Sequence, residues 1–556
     1  MKKHLYIKSL TTLLNKPISN NLLITLTALY ITILFNRHIF GILTDVTPPQ
    51  NITDYLFILS VYFTIFSLIF LCCSLFAFGK STKWWLGFLL IASSATSYMR
   101  SKYNVVFDDN MIRNIVETDY HEASELLSLS WAFYILLLGI LPIFVIKKLR
   151  VKKHSIGRSA FHHASYIIGI IIAMLVSIAP FYSSYASMLR SHRSMKEYII
   201  PTGFLYSSYK YVKNSVPTYQ HSLVSIGADA KRASPNTQNK KMVFVIVVGE
   251  TARAANFSLA GYARQTNTLL EARLKHDTNT VFYSQFFSCG TSTAISVPCM
   301  FSSKGRETFD VDEAKYTENL LDIFNRTGLD VLWIDNNSGC KGVCDRITYT
   351  ELRNRTDDPS CDIYGCNDSV LVSDLEQKLQ SIEKDTVIVL HQKGSHGPAY
   401  FERVPKDKQV FQPICHSNQL QECTESEIIN SYDNTIVYTD FILEQIIKTL
   451  EKHSDSIDTG MFYASDHGES LGERNLYLHG MPYSIAPDEQ IHIPALLWLS
   501  QGFTKHYSVN TQCLRNNSNN NYSHDNIFYS LLGLLDIQTT LYTSNEDMIK
   551  PCKQPS

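Results

Sequence analysis

Cysteine is nearly missing from the first half of this 556-residue chain: only Cys72 and Cys73 precede residue 288. Set inside a long apolar run, those two read as buried free thiols. Charge of either sign is not in large excess, because the formal net charge is only −1, and no nucleic-acid partner is expected. No internal repeat is visible, and the low-complexity stretch "NNSNNNYSHDN" reads as a loop. No small-residue cleavage site follows the first apolar run, and that run is longer than the core of a secretory leader, so it reads as a span rather than a signal peptide.

What the first 190 residues do contain is apolar sequence. Ile18–Leu43, Leu56–Phe78, Trp84–Met99, Leu129–Ile146 and His163–Tyr185 are nearly free of charge. Each approaches or exceeds the roughly 17 to 25 residues that cross a bilayer as a helix, Trp84–Met99 being the shortest. The flanks agree: "MKKHLYIK", "GKSTK" and "KKLRVKKH" are basic, whereas "DVTPPQNITD" and "FDDNMIRNIVETDYHEASE" are acidic or mixed. By the positive-inside rule, an internal N-terminus and five spans carry everything after about residue 190 out of the cytoplasm.

The other ten cysteines support that compartment. An even number in short local pairs is the mark of an oxidising space, and the expected pairs are Cys289 with Cys299, Cys340 with Cys344, Cys361 with Cys366, Cys415 with Cys423, and Cys513 with Cys552. "CKGVC" and "CDIYGC" lack the spacing of a zinc ribbon. Between residues 195 and 219 the chain is rich in Tyr with Lys interleaved, which suits either an element at headgroup level or an ordinary linker. "GADAKRASPNTQNKK" reads as a flexible polar boundary. The expected organisation is a five-span membrane domain over 1–190, a link over 191–238 and an exported domain over 239–556.

In the exported domain, "MVFVIVVG", "DVLWID", "TVIVLHQ" and "GMFYASD" are short apolar runs without alternation. They fit strands buried on both faces of a parallel sheet. Helical patterns lie between them, the clearest following Thr424, which with Glu427 forms a capping-box signature. The fold class is therefore a wound α/β sheet covered on both faces. Ligands of such sheets bind beyond the carboxyl ends of the strands, and there the chain turns polar: Glu250, the "DNNSGCK" stretch with Lys341, "KGSHG" with His396, and Asp466 with His467. Each alone has a bland explanation as a cap, a turn or a solvated charge, but together they converge on one edge. Glu250, Asp466 and His467 suit a zinc ion that keeps one position for the reacting group. The hydroxyls of "SCGTSTAISVPCM" can supply an oxygen nucleophile, which a metal activates.

The stretches "VVGETARAANFSLAGYARQTNT", "SCGTSTAISVPCMFS", "DNNSGCKGVC", "HQKGSHGPAY", "YASDHGESLGE" and "YLHGMP" resemble, in order, the motif series of the lipid A phosphoethanolamine transferases. These include the mobile colistin-resistance enzymes and belong to the alkaline phosphatase and sulfatase-like superfamily. The resemblance implies a catalytic Thr293 and zinc ligands Glu250, Thr293, Asp466 and His467. It assigns Lys341, His396 and His479 to the transferred phosphate or to a second zinc, with Asn337 and Ser338 nearby, and Asn114 and Glu122 to the lipid headgroup. It further implies a monomer in the bacterial inner membrane with a periplasmic catalytic domain. Phosphoethanolamine would pass from phosphatidylethanolamine to Thr293 and then to a phosphate of lipid A, reducing surface negative charge and giving polymyxin resistance. A membrane-anchored phosphoglycerol transferase or phosphatase of the same superfamily is the neighbouring alternative. A sulfatase would need a C/S-x-P/A-x-R motif, which "GTSTAIS" does not provide.

Overall fold

The computed structural model describes residues 17–554 except 47, 119, 153–154, 192, 216–221, 234–239, 356 and 363–364. The chain divides into two compact units, Met1–Ile112 with Leu127–Lys213, and Arg113–Leu126 with Asn214–Ser556.

The first unit is helical. By length and composition, three of its helices can cross a membrane among the described residues: Ile52–Ser74, Leu129–Lys148 and Gly157–Ala186. The five expected spans are thus met by three that satisfy both criteria, and the other two differ for physical reasons. The first run breaks at Asn36 into Asn20–Phe35 and Arg37–Val46. There the Asn36 amide is exchanged with the backbone of Ile200 at 2.8 Å in both directions. The third forms a 23-residue helix, Ser81–Tyr103, but its interior buries Ser93, Ser94, Thr96 and Ser97, which lowers its apolarity. Exposed Phe133, Phe161 and Val176 on the other helices are what a lipid solvent tolerates. Part of the Tyr-rich stretch forms the helix Thr202–Ser215.

The second unit is built on an eight-stranded sheet: β1 (Lys241–Gly249), β2 (Thr280–Phe287), β3 (Asp330–Asp335), β4 (Thr348–Glu351), β5 (Thr386–His391), β6 (Ile457–Ser465), β7 (His492–Leu499) and β8 (Tyr522–Ser523). Their order is β8-β2-β7-β6-β1-β5-β3-β4, and β7 alone among them runs against its neighbours. Alternate residues of β1 feed two cores, as strand geometry requires. Phe244, Ile246 and Val248 pack with Trp333 and Phe503 on one face, while Val243, Val245 and Val247 pack with Leu371 and Ile446 on the other. The second face is covered by Ser369–Leu379 and by Glu425–His453, which starts at the Thr424–Glu427 capping box.

Two expectations change. The start of the polar boundary is pinned where Lys231–Arg232 pairs with Ile537–Gln538 and Arg232 meets Asp385, while its residues 234–239 lie outside the described residues. The Asn-rich stretch contains the edge strand β8 and the buried His524. All five disulfides join the expected partners, and Cys72 and Cys73 are free and buried.

Candidate metal and phosphate site

Register places the first site residues side by side. Gly249 pairs with Ser465 where β1 and β6 end, so Glu250 and Asp466 leave adjacent strands together, and His467 follows. Donor atoms of Glu250, Asp466 and His467 all lie within 4.8 Å of one another, and the three residues are buried. The Thr293 hydroxyl starts the helix Thr293–Met300 and stands 3.4 and 3.3 Å from the Glu250 oxygens and 3.4 Å from His467 Nε2. At 9% exposure Thr293 is the most open of the four, which leaves it the one a substrate can reach.

The donor set fits a cation. Two carboxylates crowded away from water are costly unless compensated, and Asp466 Oδ2 is buried without a hydrogen bond. Asp466 Oδ1 accepts from the amides of Thr251 and His467 at 3.0 and 2.7 Å. His467 Nδ1 lies 2.9 Å from the Gly468 carbonyl, which fixes the tautomer and leaves the Nε2 lone pair toward the carboxylates. Burial also holds His467 down at about 3, so the imidazole is neutral, the form a metal takes. Thr251 adopts φ 57° beside this cluster, a left-handed conformation that non-glycine residues keep only where the surroundings enforce it. Its hydroxyl donates to Glu250 Oε1 at 2.5 Å.

The loop that carries Thr293 is closed by Cys289–Cys299. At Gly290 a side chain would come within 2.8 Å of Ile295, so the tight turn requires glycine. Thr291 ties this loop to the next one, donating its hydroxyl to the Met481 carbonyl at 2.6 Å and accepting from the Gly480 amide at 2.8 Å. The second loop brings His479 into ring contact with His467, 4.3 Å between centroids, and within 5.6 Å of His396. His396 sits on a turn through Gly394, whose φ of +51° and close approach to the Glu250 carbonyl exclude a Cβ. Burial lowers His396 to about 4. Burial works against the charged form of His479 as well, but the Glu469 carboxylate, 3.1 Å away, outweighs it and raises that imidazole to about 9.

Asn337 is joined to the cluster through its amide, which donates to Glu250 Oε2 at 2.6 Å. Ser338 and Lys341 lie on the same loop, where Lys341 Nζ donates to the Ser338 carbonyl and hydroxyl at 3.1 Å. Lys341 takes φ 53° within the Cys340–Cys344 ring. Asn114 is half-buried in the helix Asp109–Glu117, and no contact joins it to the Thr293 cluster among the described residues. The Glu122 side chain lies outside the described residues. Its helix, Tyr120–Leu126, is part of the second unit and is tied there through Glu125, whose carboxylate accepts from Arg403 at 2.6 and 2.7 Å, while Arg403 Nε donates to the His396 carbonyl at 2.8 Å.

The fold brings four further groups here. Asp335 and His391 end β3 and β5, so the strand-end rule that selected Glu250 also points to them. Glu469 stands two positions after His467, inside a quoted motif. His524 had no signal in an Asn-rich stretch, yet it accepts from the Cys289 amide at 3.1 Å and bonds the Ser465 carbonyl at 2.9 Å, locking the Thr293 loop to the end of β6.

The phosphoethanolamine transferase EptA/EptB family matches residues 65–216 and the sulfatase family matches residues 243–537. Phosphoethanolamine transferase EptA of Escherichia coli K12 is 37% identical, over 98% of this chain and 99% of its own length. Phosphatidylethanolamine transferase Mcr-1 of Escherichia coli is 37% identical, over 87% of this chain and 90% of its own. The integral membrane protein lipooligosaccharide phosphoethanolamine transferase A from Neisseria meningitidis has a TM-score of 0.92 at 33% identity, covering 97% of this chain and 100% of that structure. With likeness running almost end to end in both sequence and fold, the chain belongs to the EptA family of phosphoethanolamine transferases.

Proposed function

We propose that this chain is a zinc-dependent transferase that moves phosphoethanolamine from phosphatidylethanolamine to a phosphate of lipid A, with Thr293 as nucleophile. The observation that carries this reading is the Thr293 hydroxyl facing Glu250 and His467 at 3.3 to 3.4 Å. Glu250, Asp466, His467 and Thr293 would hold one zinc ion. That ion supplies Lewis-acid charge, which favours the alkoxide of Thr293 and offsets charge on the phosphate. Thr293 Oγ forms a bond to phosphorus, the bond from phosphorus to the diacylglycerol oxygen breaks, and the proton lost by Thr293 is returned to that oxygen. An acceptor phosphate hydroxyl then bonds the phosphorus through its oxygen, the bond from phosphorus to Thr293 Oγ breaks, and the acceptor's proton restores the Thr293 hydroxyl. His396 and His479 are placed beside His467 to exchange those protons or to hold the phosphate oxygens, Lys341 and Ser338 add charge and hydrogen bonds, and Asn114 and Glu122 contact the headgroup.

Both substrates are lipids, in keeping with the substrate words in the relatives' names. We therefore place the chain as a monomer in a bacterial inner membrane with five spans, Asn20–Phe35 with its continuation and Ser81–Tyr103 completing the three apolar helices, and the catalytic unit in the periplasm, where its disulfides persist. Added ethanolamine places a cation beside a lipid A phosphate and weakens attraction for cationic polymyxins such as colistin.

The test incubates the purified full chain with a fluorescent phosphatidylethanolamine and follows diacylglycerol release and a phosphoethanolamine adduct on Thr293 by mass spectrometry. Thr293→Ala should fold, insert and release nothing. Full turnover in that variant rejects the nucleophile, and release of free phosphoethanolamine with no modified lipid A, once lipid A is added to the mixture, makes the protein a hydrolase of the donor lipid rather than a transferase.

A further inference from the structure

Asp335 and His391 are fully buried at the ends of adjacent parallel strands, paired in register, and the proposed reaction uses neither. Their linkage is dense. Asp335 Oδ2 accepts from Trp333 Nε1 at 2.7 Å and lies 3.0 Å from His391 Nδ1. Asp335 Oδ1 accepts from the backbone amides of Asn337 and Gly339 at 2.8 and 3.2 Å. One carboxylate thus holds a core indole, an imidazole and the turn that carries Asn337.

The same bonds settle which way the Asn337 amide faces. Its Oδ1 accepts from the Ser338 amide at 2.8 Å, so Nδ2 points inward, where it meets Glu250 Oε2 at 2.6 Å, the Gln392 carbonyl at 2.9 Å and His391 Nε2 at 3.2 Å. The Asn337 donor and the Thr251 hydroxyl grip opposite oxygens of Glu250. A carboxylate so held cannot rotate freely, and its lone pairs face the Asp466–His467 cluster before any ion arrives.

We propose that Asp335 and His391 are positioning residues: Asp335 fixes the His391 imidazole and the Asn337 turn so that the Asn337 amide presets Glu250 for a divalent cation. A purely structural ion pair would support the core, but it would not need to converge on the donor that orients a ligand. Outer partners of metal ligands commonly govern affinity or activity by about 10- to 100-fold, and that is the range expected here.

The proposal rests on the zinc reading, and the experiment separates the two. The purified full chain is titrated with Zn2+ alone against a chromophoric chelator, and steady-state turnover of fluorescent phosphatidylethanolamine is measured beside the melting temperature. His391→Leu should lose zinc affinity by about tenfold or more and lose kcat with KM for the donor lipid nearly unchanged. His391→Gln, which keeps a donor for Asp335, should recover part of both. Folded His391→Leu with unaltered zinc affinity and kcat, whatever its melting temperature, overturns the proposal alone. A parent chain that takes up no zinc overturns the zinc reading and this proposal with it. If His391→Leu does not fold, Asp335→Asn is measured in its place, with the same expected loss and the same refuting result.

Discussion

On one side of the Thr293 hydroxyl the protein builds with strands, and on the other with stapled loops. Glu250 and Asp466 leave adjacent strands in register, inside a core that needs no cross-link at that point. Lys341, Ser338, His396 and His479 ride on turns, one held by the Cys340–Cys344 ring and one by a left-handed glycine. The two jobs proposed for them differ in tolerance. A metal site is good only when donor distances fall within about 0.2 Å of their ideal, and a sheet ladder supplies that accuracy. A phosphate has several equivalent oxygens and is met by charge and hydrogen bonds over a broader range, so a loop suffices if its freedom is cut.

The sharpest break in that comparison is to remove a strand-end ligand. Glu250→Ala should leave no detectable turnover and no bound zinc, and stripping the parent with a chelator should do the same reversibly. Metal analysis of the purified protein, with activity restored by added Zn2+ in the parent only, checks it. Retained zinc in Glu250→Ala would mean that the strand ends do not form the cation side.

A smaller effect is expected from the loop side. Cys340→Ser with Cys344→Ser should lower kcat/KM by roughly tenfold to a hundredfold through misplaced Lys341 and Ser338. The cost in stability should be only about 2 kcal/mol, because the closed loop is short. The smallest effect on chemistry should come from Cys513→Ser with Cys552→Ser, a pair 39 residues apart with no contact to the Glu250 cluster among the described residues. There the chain-entropy cost is larger, about 4 kcal/mol, while kcat/KM stays the same. Melting and turnover measured on both double variants should therefore rank in opposite orders, and a matching order would dissolve the distinction.

Four of the eight strands were legible because β1, β3, β5 and β6 are buried on both faces and read as unbroken apolar runs. The others were hidden for local reasons. β2 alternates irregularly through Ser284 and Gln285. β7 contains Pro494, and its register with β2 shifts between Ile493 and Ala495, as expected where proline removes a ladder donor. β8 is two residues long in an Asn-rich stretch. In the site, the rule that polar residues after buried strands matter pointed to Glu250, Asp466 and His467, which the fold gathers into one cluster. His524 escaped because its role arises from distant contacts to Cys289 and Ser465, which no local pattern encodes.

The segment Arg113–Leu126 belongs to the catalytic unit although it precedes Leu127–Lys213 in the chain. Arg113 meets Asp312 at 2.6 Å and Glu125 meets Arg403 at 2.6 Å. The unit is therefore assembled from two stretches synthesised at different times, with two apolar helices translated in between. A fragment beginning after residue 213 omits a native part of its own domain, and it removes Glu125 from a guanidinium with only 3% of its side chain exposed. Such a fragment keeps Glu250, Thr293, Asp466 and His467 and lacks the segment that braces His396 through Arg403, so its kinetics describe an incomplete enzyme. Supplying residues 113–126 as a separate peptide is the complementation that this interleaved order of the chain invites.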